Sequence, residues 1–219
     1  MRGRTKNSDL VTQIYESLRQ DIIGLRIKPG EFFTERQISE IYNASPTSVR
    51  GALSLLKHDG LVKVFPHKGY MISEITLEDM HNLFQFRSVL ENANIYYAAQ
   101  YAEKEQLDHL ELLAEGQETS LEPETHSNQT EPNTEFHLYL AQITGNPILL
   151  EQLINTIEKL QRLSWMGTPH KFTPASVDEH REIVKLIRTK QVAEAQALMR
   201  KHINQVFEIA VSKTLKKVF

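Results

Sequence analysis

"NASPTSVRGALSLL", Asn43 to Leu56, is the stretch whose reading decides the fold of this 219-residue chain. Ser45 is a residue type that caps helices, and Pro46 suits the first helical position. Val49, Ala52, Leu53, Leu55 and Leu56 supply an apolar side, and Asp59-Gly60 ends the segment. The opposite side is nearly bare. Its first turns carry Thr47, Ser48, Gly51 and Ser54, with Arg50 the one charge among them. From that face alone, an ordinary helix poor in charge reads as readily as one shaped for close approach to a partner.

The flanks give the face a context. Upstream, an amphipathic helix is expected from about Leu10 to Ile23, with Leu10, Ile14, Leu18, Ile22 and Ile23 on one face and Gly24 ending it. "KPGEF", Lys28 to Phe32, is a Pro-Gly turn. Thr34, with Gln37 three residues on, has the pattern of a capping box for a short helix carrying Ile38 and Ile41. Downstream, "LVKVF" and "GYMIS" alternate as two short strands joined through Pro66-His67-Lys68-Gly69. Helix, helix, turn, helix and hairpin describe a winged helix-turn-helix over residues 1–75. In such a unit the second helix of the motif enters the major groove of DNA. Thr47, Ser48 and Gly51 would then permit close approach, Ser45 and the helix N-terminus would meet a phosphate, and Arg50 would bind guanine bidentately.

Charge agrees with that division. The chain carries a net charge of -3, but residues 1–75 hold 11 Lys and Arg against 8 Asp and Glu, and residues 76–219 hold 14 against 20. The front half is the one suited to a polyanion. Without cysteine there are no disulfides and no thiolate metal sites. The start, "MRGRTKNSDL", has no apolar core of a signal peptide, and no stretch approaches the ~18 apolar residues of a membrane span. A soluble, cytoplasmic protein with no membrane partner is expected.

The segment from Ile22 to Ser73 resembles the DNA-binding domain of the GntR family of bacterial transcription regulators. The resemblance lies in the Gly-x-x-(Leu/Ile)-x-Pro-Gly turn at Gly24 to Gly30 and the Val-Arg-x-Ala-Leu helix at Val49 to Leu53. It extends to Gly60-Leu61-Val62 and the wing glycine, Gly69. The family's usual Ser-Arg-Thr-Pro-Val-Arg-Glu-Ala-Leu is altered here, with Pro46 for the first Arg, Ser48 for the Pro and Gly51 for the Glu. The operator sequence therefore does not carry over. The resemblance implies that Arg36 touches DNA, and His67 and Lys68 at the wing tip suit phosphate or minor-groove contacts. A homodimer on a palindromic operator is expected, because one winged unit presents a single reading helix and few phosphate contacts, and two-fold symmetry doubles both.

From Thr76 onward the pattern is helical. Helices are expected at Thr76 to about Ala98, Lys104–Glu115, Pro132–Thr144, Ile148–Trp165, Val177–Thr189 and Val192–Lys213, a bundle over residues 76–219. Gly116–Thr130 reads as a polar connection and Gly167–Pro174 as a loop. His137, His180 and His202 fall on three of the helices, and spacing alone does not bring them together; each by itself reads as a partly buried histidine. "NTEFHLYLAQITGNPIL", "DEHREIVKLIRTK" and "ALMRKHI" are similar to segments of the FCD domain, the ligand-sensing domain of the FadR branch of the family. That resemblance implies a divalent metal (zinc, nickel or manganese) on Asn133, His137, His180 and His202. It also implies that Arg87 pairs with the carboxylate of a small organic acid effector. Asn133 stands where most members have Asp. His81, His109, His126 and His170 match no motif position and are expected in solvent.

The resulting expectation is a mainly helical, ligand-responsive transcription regulator of repressor type. Two other readings compete with it. A three-histidine metal with open positions could serve a hydrolase-like enzyme, although Glu135 and Glu179, the conceivable bases, read as turned away from the histidine face. Asn133 also leaves room for a DNA binder with a degenerate, metal-free sensor.

Overall fold

The structure, a computed structural model, describes residues 2–74, 76–116, 132–165 and 174–218. The chain divides into two compact units, Met1–Thr76 and Leu77–Phe219.

In the first unit the elements run α1 (Arg2–Ile23), β1 (Phe32–Phe33), α2 (Glu35–Ile41), α3 (Pro46–His58), β2 (Val62–Phe65) and β3 (Gly69–Ile72). Ile14, Leu18 and Ile22, one helical turn apart on α1, bury against Val49, Ala52, Leu53 and Leu56 of α3, with Ile38, Leu61, Val62 and Ile72 closing the core. The turn between α2 and α3 rests on Asn43, which adopts φ 45° after the C-cap Tyr42 while Ala44 N–H bonds the Ser39 carbonyl at 3.0 Å. That is a Schellman ending with Asn in the left-handed position. Gly60, at φ 72°, ends α3 in the same way, with Leu61 N–H on the Leu56 carbonyl.

The expected hairpin is present, antiparallel, with Val62 opposite Ile72 and Phe65 opposite Gly69. A third strand, β1, extends it to the order β1-β3-β2. Two residues show no alternation, so nothing in their pattern marked them as a strand. Helix α1 also begins earlier than its apolar stripe, at Arg2 in place of Leu10. Ile41 and Leu55, read with the apolar faces, are exposed.

The second unit is a helical bundle of α4 (Leu77–Tyr101), α5 (Lys104–Ala114), α6 (Pro132–Ile143), α7 (Pro147–Trp165), α8 (Pro174–Arg188) and α9 (Val192–Val218). Helix α4 packs against α6, α7, α8 and α9. It is therefore buried over much of its girth, through Met80, Phe84, Leu90, Ile95 and Ala98. Helix α8 starts at Pro174 in place of Val177, and α9 runs five residues past the expected Lys213, to Val218. All but the first residue of the connection read at Gly116–Thr130, all but the end of the loop read at Gly167–Pro174, and His126 and His170 lie outside the described residues. His81 is exposed as expected, but His109 is half-buried with its ring 4.4 Å from that of Tyr139.

Candidate DNA-reading face and candidate metal centre

Helix α3 starts as its sequence says. Ser45 caps it, its Oγ accepting the Ser48 N–H at 3.2 Å, and Pro46 occupies the first turn. The outward stripe is Thr47, Arg50, Ser54 and Lys57. Ser48 is not part of it. The Ser48 side chain is 0% exposed and its hydroxyl lies 2.9 Å from Ser45 Oγ, so its expected place on the DNA face is corrected. Gly51 turns inward too. A Cβ there would sit 3.1 Å from Val11 Cγ2, so its smallness lets α1 approach α3. The bare helix face thus has two origins, a small outward stripe and a tight helix–helix contact.

Arg50 projects from the stripe and is held by Glu35 at the start of α2, Nε to Oε1 at 3.0 Å and Nη2 to Oε2 at 2.8 Å. Arg36 is exposed on the same helix and pairs with Glu40 at 2.8 Å. His67 and Lys68 are exposed at the hairpin tip. There Lys68 N–H bonds the Phe65 carbonyl, Pro66 takes the second turn position and His67 the third at φ 66°. A left-handed third residue is the mark of a type II turn, and histidine tolerates that region better than most. Gly69, expected on the DNA face, has a structural duty as well: a Cβ would stand 2.5 Å from the Phe33 carbonyl oxygen.

In the second unit α6, α8 and α9 bring His137, His180 and His202 together. All three are buried, and each offers a ring nitrogen within 4.8 Å of those of the other two. His180 Nε2 and His202 Nε2 are 3.4 Å apart. The far nitrogen of His202, Nδ1, lies 2.9 Å from Glu179 Oε2. Glu179 was expected to face away, and that is corrected: it precedes His180 on α8 yet reaches across to the histidine of α9. His137 Nδ1 lies 2.8 Å from Glu91 Oε1, close but off the N–H direction. A carboxylate behind an imidazole fixes its tautomer and raises its basicity toward a metal. Phe136 stacks on His180 at 4.0 Å and 12°, walling one side.

The electrostatics favour a neutral His180 imidazole. Burial pushes the His180 pKa far below its ordinary value, and His137, His202 and Arg87 push the same way. Burial raises Glu91 to about 7, opposed by Arg87. Three buried imidazoles, that of His202 backed by the Glu179 carboxylate, are the donors that zinc-, nickel- or manganese-type ions take, so the residues fit a divalent metal. Asn133 is buried one turn before His137 on α6.

Arg87 is buried, and its Nε donates to Glu91 Oε1 at 3.2 Å, one turn along its own helix. Glu91, Asn94 and Arg162 are buried polar residues that the sequence reading does not single out. Neither amide atom of Asn94 meets a hydrogen-bond partner among the described residues. Burial lowers the Arg162 pKa to about 10. The available signal was spacing, since Arg87, Glu91 and Asn94 recur at helical intervals on a face that otherwise holds Leu90 and Ala98.

Comparison with known proteins follows the same division. Residues 10–72 match the bacterial regulatory proteins of the gntR family, and residues 82–205 match the FCD domain. The transcriptional repressor RspR of Escherichia coli (strain K12) is 25% identical over 197 residues, spanning 90% of this chain and 86% of RspR. The transcriptional repressor NanR of Enterobacter sp. (strain 638) is 29% identical over 230 residues, spanning 93% of this chain and 85% of NanR. The solved structure of E. coli McbR/YncC has a TM-score of 0.65 at 19% identity, covers 94% of this chain and 98% of that one, and so shares the fold. The named relatives are transcription regulators and not enzymes, which removes the hydrolase reading. The chain belongs to the gntR family of bacterial regulatory proteins, in the FadR-like branch that joins a winged DNA-binding unit to an FCD domain.

Proposed function

We propose that the chain is a ligand-responsive repressor that works in the cytoplasm as a homodimer on a palindromic operator. Residues 1–75 read DNA, and residues 76–219 sense a small organic acid. The observation that carries the sensor is the buried cluster of His137, His180 and His202, with the Glu179 carboxylate behind the His202 ring. With Asn133, those residues would hold one divalent ion. Bound there, the ion would supply positive charge and open coordination positions for an anionic oxygen. Arg87 is the guanidinium for the acid's second oxygen, and it already carries a carboxylate, that of Glu91, at 3.2 Å. Three imidazoles and a carboxamide leave the ion its full charge, which favours an anionic effector over a neutral one.

The homodimer has support in α4. Phe86, Val89, Tyr96, Tyr97 and Tyr101 are exposed along that helix at intervals that share a side. A two-fold pair doubles both the reading helices and the phosphate contacts.

The test combines elemental analysis of the purified protein with operator binding in the presence of a panel of small carboxylic acids. The expected result is one divalent ion per chain, lost in His137→Ala and His180→Ala, and an acid that changes operator affinity only in the metal-loaded protein. Equal, near-zero metal in all three proteins after zinc or nickel loading would leave the metal-free sensor as the correct reading.

A further inference from the structure

Three elements of the first unit converge on a single carboxylate. Glu35 opens α2, behind a capping box in which Gln37 N–H donates to the Thr34 side chain and Thr34 N–H donates to Gln37 Oε1. Arg50 of α3 donates two hydrogen bonds to Glu35, at 3.0 and 2.8 Å. Tyr70 of β3 donates its hydroxyl to Glu35 Oε1 at 2.9 Å. Tyr70 is itself held, since it lies opposite Phe33 in the strand register and their rings stack at 5.9 Å and 13°. Gly69 lets β3 lie close enough to Phe33 for this, and Phe33 leads directly into Thr34 and Glu35.

A guanidinium has two edges that offer paired N–H groups. Glu35 takes the Nε–Nη2 edge of Arg50. The Nη1–Nη2 edge remains, on a side chain that is 67% exposed, and that edge has the spacing for O6 and N7 of guanine. A free arginine must surrender its rotamer freedom when it meets a base, and one already fixed by a carboxylate surrenders less.

We propose that Glu35 is a positioning residue for base reading: it grips Arg50 by one edge so that the other is presented to a guanine, with Tyr70 tying the wing to the same carboxylate. This rests on the reading of the chain as a sequence-specific DNA binder. It has a consequence that a purely structural ion pair would lack. A carboxylate near DNA repels phosphates whatever the sequence, so Glu35 weakens binding in general and acts favourably only through discrimination between base pairs.

The experiment uses the full chain and a duplex selected by the wild-type protein from a random pool. Binding is measured by fluorescence anisotropy at one salt concentration to that duplex, to versions with each G·C pair exchanged for A·T, and to random duplex. Glu35→Gln should bind random DNA as well as wild type or better, while losing roughly tenfold or more discrimination at one G·C pair. That pair should be the one at which Arg50→Ala is blind, and Glu35→Gln should remove nothing further in the Arg50→Ala background. Tyr70→Phe should give a smaller loss at the same pair, and it carries the test independently if Glu35→Gln disturbs α2. Full discrimination in both Glu35→Gln and Tyr70→Phe, or the same loss with and without Arg50, would overturn the proposal while leaving the regulator reading intact. A pool that yields no preferred duplex would overturn both.

Discussion

Glu179 sits beside His180 in the chain, yet its carboxylate is 2.9 Å from Nδ1 of His202, across the contact between α8 and α9. The interaction with His202 holds the Glu179 carboxyl below its ordinary pKa. The contact sets His202 with Nδ1 toward the carboxylate and Nε2 toward His180. Glu179→Gln should lower divalent-metal affinity by about 10- to 100-fold, the usual effect of removing such a partner, while the ion count at saturation stays the same. Competition against a chelator of known affinity measures this. Unchanged affinity would make Glu179 a surface group that merely neutralises Lys201, which lies 3.7 Å away.

Asn133 is buried one turn before His137. A carboxylate in its place would add a negative charge beside the proposed ion. Asn133→Asp should raise metal affinity and lower affinity for an anionic effector, two changes of opposite sign from one substitution. Calorimetric titration of metal, then of acid, reads both. A parallel rise in both affinities would count against charge as the cause.

The sequence showed most clearly the features that rest on local chemistry. The Thr34 capping box, the Ser45 cap and the Pro66 turn each need only neighbours in the chain, and each stands where its residues implied. Ser48 and Gly51 were ambiguous because serine and glycine carry little preference for inside or outside. Only the packing of α1 against α3 decides them. Glu91 hid for another reason. An Arg and a Glu four residues apart ordinarily read as a solvated pair on a helix surface. Their burial depends on α4 being enclosed by four other helices, which no local pattern announces. The three histidines share no spacing, and it was the order of matching segments that grouped them.

Gly51 gives a test of the α1–α3 contact. Alanine normally gains up to about 1 kcal/mol over glycine in a helix. Here its Cβ would stand 3.1 and 3.2 Å from the two γ-carbons of Val11. Gly51→Ala should therefore leave the thermal midpoint of the chain unchanged or lower it. In a Val11→Ala background the same substitution should raise it, recovering the helix term of about 1 kcal/mol. Equal gains in both backgrounds would mean that the contact has slack.

The Glu35 clamp has a pH signature. Its carboxyl is held below the ordinary value of 4.5, chiefly by the hydrogen bonds from Arg50, with Tyr70 adding and burial opposing. Because the folded pKa is the lower one, the unfolded chain takes up more protons as pH falls below 4.5. The stabilisation is thus complete above that value and is lost as pH falls through the folded pKa. The difference in thermal midpoint between wild type and Glu35→Gln should be constant from pH 7 to about 5 and shrink below about 4.5. A difference that grew on acidification would contradict the clamp.

The outer side of α4 supplies the last prediction. Val89 is 65% exposed and Tyr101 69%, with Phe86, Tyr96 and Tyr97 between 38% and 48%. Tyr97 stacks on Tyr101 at 6.3 Å and 15° and meets Tyr96 edge-on, so the rings form a connected apolar surface. If that surface is where two chains meet, a charge placed within it would be buried unpaired twice, once per subunit. Val89→Glu should therefore convert a dimer to a monomer at micromolar concentration with little loss of fold, since Val89 contributes nothing to the core. Operator affinity should fall with it, because each chain would bring one reading helix in place of two. Sedimentation velocity of wild type and variant, with circular dichroism to confirm the fold, decides it. A wild-type monomer, or a variant that stays dimeric, would move the assembly surface elsewhere.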